Sequence, residues 1–308
     1  MCDARKKVAR KTRAQIADLS APFALAFDLL TQRGVELERD TSLRFVVPPS
    51  FTMISTKGRA PLAGGAASVT LQAIERAVRE PLVVKPDADN AVAVVHEREF
   101  STLRLRLFGT GAFTLTGVRS IVEAAAFLRE AFAALRDVYA VADAPDDQLP
   151  VPLRVTLANF IVHTNIGDLD VAGLHAALLR RRRETGIEPQ PFKAGANLRA
   201  QLRGRKITVV AAKTGTVTAH VSAAEVSSPE AHLDALKATF AAAVDATFAV
   251  LRIAHEEPDA IIALKQRALP KRTQAQSNRA FQVVHGYESD AFFLAGVVAE
   301  DGGGGSSA

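Results

Sequence analysis

The sequence predicts an α+β fold in which one curved antiparallel sheet is backed by helices. Three observations lead there. Two segments alternate apolar and polar residues, each carries a Thr-Gly pair at its centre, and each runs into a long alanine-rich helix. The same order of elements occurs twice, at a spacing of about 105 residues. Period-two patterning marks strands with one covered face, so the two segments read as diverged copies of one strand–helix–hairpin–helix unit.

Residues 1–40 are expected to form a basic N-terminal extension. They open with Arg5, Lys6, Lys7, Arg10, Lys11 and Arg13, a solvated tail or a nucleic-acid contact, followed by a helix-like segment to about Leu30. The first repeat spans residues 41–142. It begins with the strand Ser50–Gly58 and a helix at Ser68–Val78. Its hairpin lies within Thr102–Thr116, with Leu103, Leu105 and Leu107 on one side and Thr102, Arg104, Arg106 and Phe108 on the other. The closing helix, Ser120–Tyr139, keeps Ile121, Ala124, Ala125, Leu128, Phe132 and Leu135 on one face.

Residues 143–152, rich in Asp and Pro, form the joint. The second repeat, residues 153–256, opens with Asn159–Gly167, which aligns without gaps to Ser50–Gly58. A helix at Leu169–Arg183 follows, ending in Arg180–Arg183, where positive charge suits the macrodipole. In the hairpin Lys206–Ser222, Ile207, Val209 and Ala211 oppose Thr208, Val210 and Ala212. Pro229 opens the last helix, Pro229–His255, at a position where its missing N–H costs nothing. Thr110-Gly111 and Thr214-Gly215 supply the hairpin turns. Residues 257–308 read as a C-terminal extension with a flexible Gly/Ser tail. Within it Phe281–Val298 is apolar enough to pack across the sheet or onto a neighbouring subunit.

An apolar content of 48% suits a globular chain, and a net charge of +5 permits a polyanionic partner. Cys2 is the only cysteine, which excludes a disulfide framework and a cysteine-based zinc site. No apolar stretch has the length of a membrane span and no signal peptide is visible, so a soluble, intracellular protein without membrane contact is expected. Gly109-Thr-Gly111 lacks the third glycine of a dinucleotide loop, Lys213-Thr214-Gly215 is not a phosphate loop, and no H-E-x-x-H or G-x-S-x-G occurs. His163 and His220 have no carboxylate or cysteine beside them to complete a metal site. The expectation is therefore not an enzyme, with no cofactor and no metal.

Two motifs carry a resemblance. The run Phe108-Gly-Thr-Gly-Ala-Phe-Thr-Leu-Thr-Gly-Val-Arg-Ser120 resembles the strand-turn-strand signature F-x-S-G-K-x-V-x-T-G-A-K-S of the TATA-box-binding protein (TBP) family. Phe108, Gly111, Thr116, Gly117 and Ser120 are identical, and Arg119 replaces lysine. Asn159–Val171 is similar to the family's N-I-V-x-T-x-N-L-G-x-x-L-D-L segment, with Asn159, Asn165, Gly167, Leu169 and Asp170 on the pattern. The resemblance covers roughly residues 41–256.

It implies a two-repeat saddle whose concave sheet face lies in a widened minor groove of double-stranded DNA, kinked by inserted phenylalanines. The side chains it places on that face are Ser50, Thr52 and Ile54; Thr102, Arg104, Arg106 and Phe108; Thr114 and Thr116. The second repeat adds Asn159, Ile161 and His163; Thr208, Val210 and Ala212; Thr216, Thr218 and His220. Among them Asn159, Phe108, Arg104, Arg106, Thr114, Thr116, Ser50, Thr52, Ile161, Thr208, Val210 and Thr218, with Arg119, are the candidate DNA contacts.

The sequence departs from the family at the wedges. Phe108 is kept, but its partners align with Ala91 and Ala212, and the fourth falls near Phe192 or Gly195. Ala112 stands where the signature has lysine. These losses predict weaker bending and weaker TATA selectivity. Arg104 and Arg106 suit a narrow A·T-rich groove, an acidic group of a protein partner, or an ordinary solvated face. The resemblance thus implies an A·T-leaning DNA-binding protein of the transcription-initiation type, located where DNA is transcribed, with transcription machinery and self-association as further partners. The alternative is a repurposed saddle serving as a structural or protein-interaction component of a larger assembly.

Overall fold

The structure, a computed structural model, describes residues 16–265 apart from 86, 88–89, 99–100, 192–196, 225, 227 and 258. It opens with α1 (Ile16–Asp40), followed by β1 (Phe45–Arg59), a short 3-10 turn (Ala63–Gly65), α2 (Leu71–Ala77), β2 (Val83–Lys85), β3 (Ala91–Arg98), β4 (Ser101–Phe108), β5 (Ala112–Val118) and α3 (Ile121–Ala134). Then come β6 (Leu153–Thr164), β7 (Ile166–Leu169), α4 (Val171–Thr185), β8 (Ile187–Pro189), β9 (Leu198–Leu202), β10 (Ile207–Ala211), β11 (Thr216–Ser222), α5 (Pro229–Glu256) and β12 (Ile261–Leu264).

Ten strands form one antiparallel sheet in the order β2-β3-β4-β5-β1-β6-β11-β10-β9-β8. This order reads the same from either end when β1 is matched with β6, β5 with β11, β4 with β10, β3 with β9 and β2 with β8. The two halves join along β1 and β6, where Ser50 stands opposite Ile161 and Phe51 opposite Phe160.

Both hairpins turn in the same way. The Gly111 N–H donates to the Phe108 carbonyl (2.9 Å) and the Gly215 N–H to the Ala212 carbonyl (3.0 Å). Each glycine has a φ of 78°, a left-handed conformation that a side chain would strain. A Cβ would also lie 2.4 Å from the Ala60 oxygen at Gly111 and 2.6 Å from the Ile166 oxygen at Gly215. The helices start at capping side chains. Ser120 accepts from the Glu123 N–H (2.9 Å), Ser228 from that of Ala231 (3.1 Å) and Asp170 from that of Ala172 (3.0 Å), each satisfying an otherwise orphan donor.

One core lies between the helices and a single face of the sheet. Leu103, Leu105 and Leu107 enter it from β4, and Ile207, Val209 and Ala211 from β10. The helical segment expected to stop near Leu30 runs on to Asp40, because Gly34 does not end it. That glycine lets the Phe45 ring approach so closely that a Cβ would sit 2.4 Å from the ring. Leu19, Phe23, Ala26, Leu30 and Leu37 of α1 are buried in the core, and the Phe23 ring packs against those of Phe51 (5.1 Å) and Phe240 (5.0 Å).

After α5 the chain adds β12 to β7 as a separate two-stranded sheet. Asn165 ties this corner together. Its side chain accepts from the Arg44 N–H (2.8 Å) and donates to the Ser42 carbonyl (3.2 Å), while its own carbonyl accepts from the Lys265 N–H (2.6 Å). No described helix is long and apolar enough to cross a membrane. The basic run Arg5–Arg13, Phe281–Val298 and the Gly/Ser tail lie outside the described residues, as do Phe192 and Gly195.

Candidate nucleic-acid interface

Residues opposite one another in an antiparallel sheet share a face, so the register says which side chains stand together. In the second half Arg199, Val210, Thr218, Ile161 and Ser50 form one line across β9, β10, β11, β6 and β1. Gln201, Thr208, His220 and Asn159 form the next. In the first half Ala93, Arg106, Thr114 and Lys57 are aligned, and beside them Val95, Arg104 and Thr116. All these side chains lie on the face opposite the helix-covered core.

The structure therefore brings together Ser50, Thr52, Arg104, Arg106, Phe108, Thr114, Thr116, Asn159, Ile161, Thr208, Val210 and Thr218 on one open face. Thr52 is exposed, Asn159 is buried at 8% exposure, and the others are half-buried. Thr102, His163, Thr216 and His220 share this face. Two of the expected positions do not. Ile54 is fully buried on the helix side, because β1 shifts register between Phe51 and Met53; the inserted residue sends Met53 to the open face and reverses the alternation beyond it. Arg119 follows Gly117, whose φ of 88° ends the alternation of β5. It lies in the turn before α3, where its N–H donates to Glu123 Oε2 (2.6 Å), rather than in the array of facing side chains.

The second half of the face is polar but weakly charged. Asn159 Oδ1 is 3.0 Å from His220 Nδ1, and His163 Nδ1 is 3.2 Å from Thr216 Oγ1. With His220 donating, the Asn159 amide keeps its two N–H groups for an outside acceptor. Burial lowers the His163 pKa; for His220 burial and then the nearby Arg199 charge act in the same direction. Both rings are therefore neutral near pH 7. Arg199 is exposed and makes no ion pair among the described residues. Sequence reasoning missed it, although the alternation in Leu198-Arg-Ala-Gln-Leu202 would have placed it opposite Val210.

The first half is built differently. Asp87, between β2 and β3, reaches onto the face and takes Arg104 Nη2 on Oδ1 (3.2 Å) and Arg106 Nε on Oδ2 (2.6 Å). The Asp87 side chain is only 10% exposed, so water hardly competes for it. Ala91, Ala93 and Val95, the cross-strand neighbours of Phe108, Arg106 and Arg104, are buried, although they belong to the open face and stand outside the core cluster. The Arg106 guanidinium also lies 5.8 Å from the centre of the Phe108 ring, within cation–π range. Farther out Lys85 pairs with Glu97. Among the described residues no cluster of three or more His, Cys, Asp or Glu side chains is placed to hold a metal ion.

No known protein-family profile and no curated protein matches the chain. Among solved structures, the TBP of Methanococcus jannaschii is similar at 14% identity over 62% of this chain and 98% of its own, with a TM-score of 0.39. The aspartate kinase from Synechocystis aligns at 10% identity over 64% of this chain and 26% of its own, with a TM-score of 0.18. The first is a low score and the second lower still, and neither carries an argument about function. The chain itself is a mixed helix and strand protein with a large antiparallel sheet.

Proposed function

We propose that the chain is a TBP-like binding protein, not an enzyme, whose open sheet face is a saddle that takes double-stranded DNA, with a preference for A·T-rich minor grooves. The observation that carries this reading is the second-half array. Asn159, Ile161, Thr208, Val210 and Thr218 share one uncharged surface, with the Arg199 cation at its margin. Small aliphatic groups and hydroxyls suit the floor of a minor groove, an asparagine amide donates to its acceptors, and a marginal cation meets phosphate. Such a protein would act where DNA is transcribed, beside the transcription machinery.

A second reading has its own support. Phe108 is overlain by Arg106, and Arg104 and Arg106 are held by Asp87, so the first half offers neither a bare wedge nor bare cations. A saddle of that kind suits a scaffold in an assembly that contacts protein rather than DNA.

Fluorescence anisotropy on A·T-rich and G·C-rich duplexes of equal length, across a salt series, separates the two. The DNA reading expects tighter binding to the A·T-rich duplex. It also expects Val210→Glu to weaken that binding at least about tenfold, because the new carboxylate brings negative charge to the groove-facing surface and offsets the Arg199 cation opposite it. Val210 is half-buried on the open face and outside the core, so thermal unfolding of this variant should stay close to that of the parent. Binding that is blind to base composition and unaffected by Val210→Glu would remove this face from the interaction; no binding to either duplex would favour the scaffold.

A further inference from the structure

We propose that Arg104 and Arg106 form an anion-binding pair for phosphate, and that the chain's own Asp87 carboxylate occupies it as an internal competitor. The inference rests on the nucleic-acid reading for its natural ligand, but its geometry stands apart from that reading. Two guanidinium groups from successive outward positions of β4 converge on the two oxygens of one carboxylate, at 3.2 and 2.6 Å. Arginine forks suit planar carboxylates and tetrahedral phosphates alike, and one oxygen to each fork is an arrangement either anion can satisfy.

The arginines are kept ready for such a ligand. Arg106 is steadied against the Phe108 ring, and Arg106 and Arg104 stand opposite the buried Ala93 and Val95 of the neighbouring strand. Their side chains are 43% and 34% exposed, against 10% for Asp87, so an anion arriving from solvent meets the cations over a wide surface. Asp87 therefore sets the affinity of the first half of the face. It neutralises part of the charge that would draw in a polyanion, and any phosphate that binds there must displace a carboxylate already in place. The consequence is one-sided binding: the second half carries the recognition while the first contributes little phosphate contact.

The decisive comparison is between the parent chain and Asp87→Asn, read by anisotropy on the A·T-rich duplex across salt, with calorimetric titration of inorganic tripolyphosphate as a probe independent of DNA. Asp87→Asn should bind the duplex about three- to tenfold tighter. The slope of log K against log salt should steepen by about 1 to 2, since each phosphate newly neutralised adds about 0.9. Replacing both arginines, Arg104→Gln with Arg106→Gln, should weaken duplex binding in the parent, because it leaves the Asp87 carboxylate unpaired on that face. In the Asp87→Asn background it should erase the gain, a coupling that a general loss of folding cannot mimic.

If the parent binds duplex and Asp87→Asn has the same affinity and slope, the competitor role is overturned and the nucleic-acid reading stands. If neither chain binds duplex but Asp87→Asn gains tripolyphosphate binding that the arginine substitutions remove, the anion site stands and the nucleic-acid reading falls. If Asp87→Asn gains neither ligand, the inference is overturned.

Discussion

At the scale of single residues, the histidines set the pH behaviour. Burial is the leading cause of lowered pKa at His163, His220 and His232; at His232 the charges of Arg154 and Lys57 add to it. A histidine whose folded pKa lies below its ordinary value of about 6.5 binds its proton more readily once unfolded. The unfolded state therefore gains protons first as pH falls, and folding stability declines from about pH 6.5 toward the folded values. The melting temperature should be lower at pH 5.5 than at pH 7.5, and His220→Gln should reduce the difference; a flat profile over that interval would contradict this account. The lowered carboxyls Glu36, Asp40 and Glu97 titrate below this window, so they do not obscure it.

At the scale of elements, α1 is the piece whose importance the sequence concealed. Phe23 sits where its ring meets those of Phe51 from the sheet and Phe240 from α5. Truncating a fully buried phenylalanine leaves a cavity and costs about 3–5 kcal/mol. Phe23→Ala should lose stability in that range by urea denaturation, and a loss under about 1 kcal/mol would show that α1 is not part of the cooperative core. The two hairpins were legible because Leu103, Leu105 and Leu107, like Ile207, Val209 and Ala211, alternate with polar residues. Strand β3 was not, because Ala91, Ala93 and Val95 on the open face are as apolar and buried as Val92 and Val94 on the core face, so no alternation marks it. The shift in β1 that buries Ile54 leaves no mark on composition, since one inserted residue reverses the faces without changing the residue types.

At the scale of the whole molecule, the palindromic strand order makes each half depend on the other. Strand β1 has β5 on one side and β6 on the other, so the first half alone would leave a long edge unpaired and its core uncovered by α5. A fragment of residues 41–142 should not persist as a folded monomer, which size-exclusion chromatography with circular dichroism would check; a monodisperse monomer with full strand content would refute it. The candidate face was legible to the extent that it follows alternation, as for Thr114, Thr116, Thr208, Val210 and Thr218. Its electrostatics were not. Asp87 lies in a Pro-Asp-Ala-Asp-Asn stretch that reads as a turn, and only the fold brings its carboxylate to Arg106, 19 positions along.

The central seam also bears on how the protein is made. Thr52 of β1 bonds to Asn159 of β6, 107 positions later, and Arg33 of α1 pairs with Asp245 of α5, 212 positions later. A ribosome adds roughly 5–20 residues per second. The nascent β1 must therefore wait about 5–20 s for the strand that closes its edge, and α1 about twice as long for its helix partner. Through that interval the middle of the future sheet is an adhesive, half-finished surface, and synthesis of this chain leans on whatever shelters nascent polypeptides in its cell.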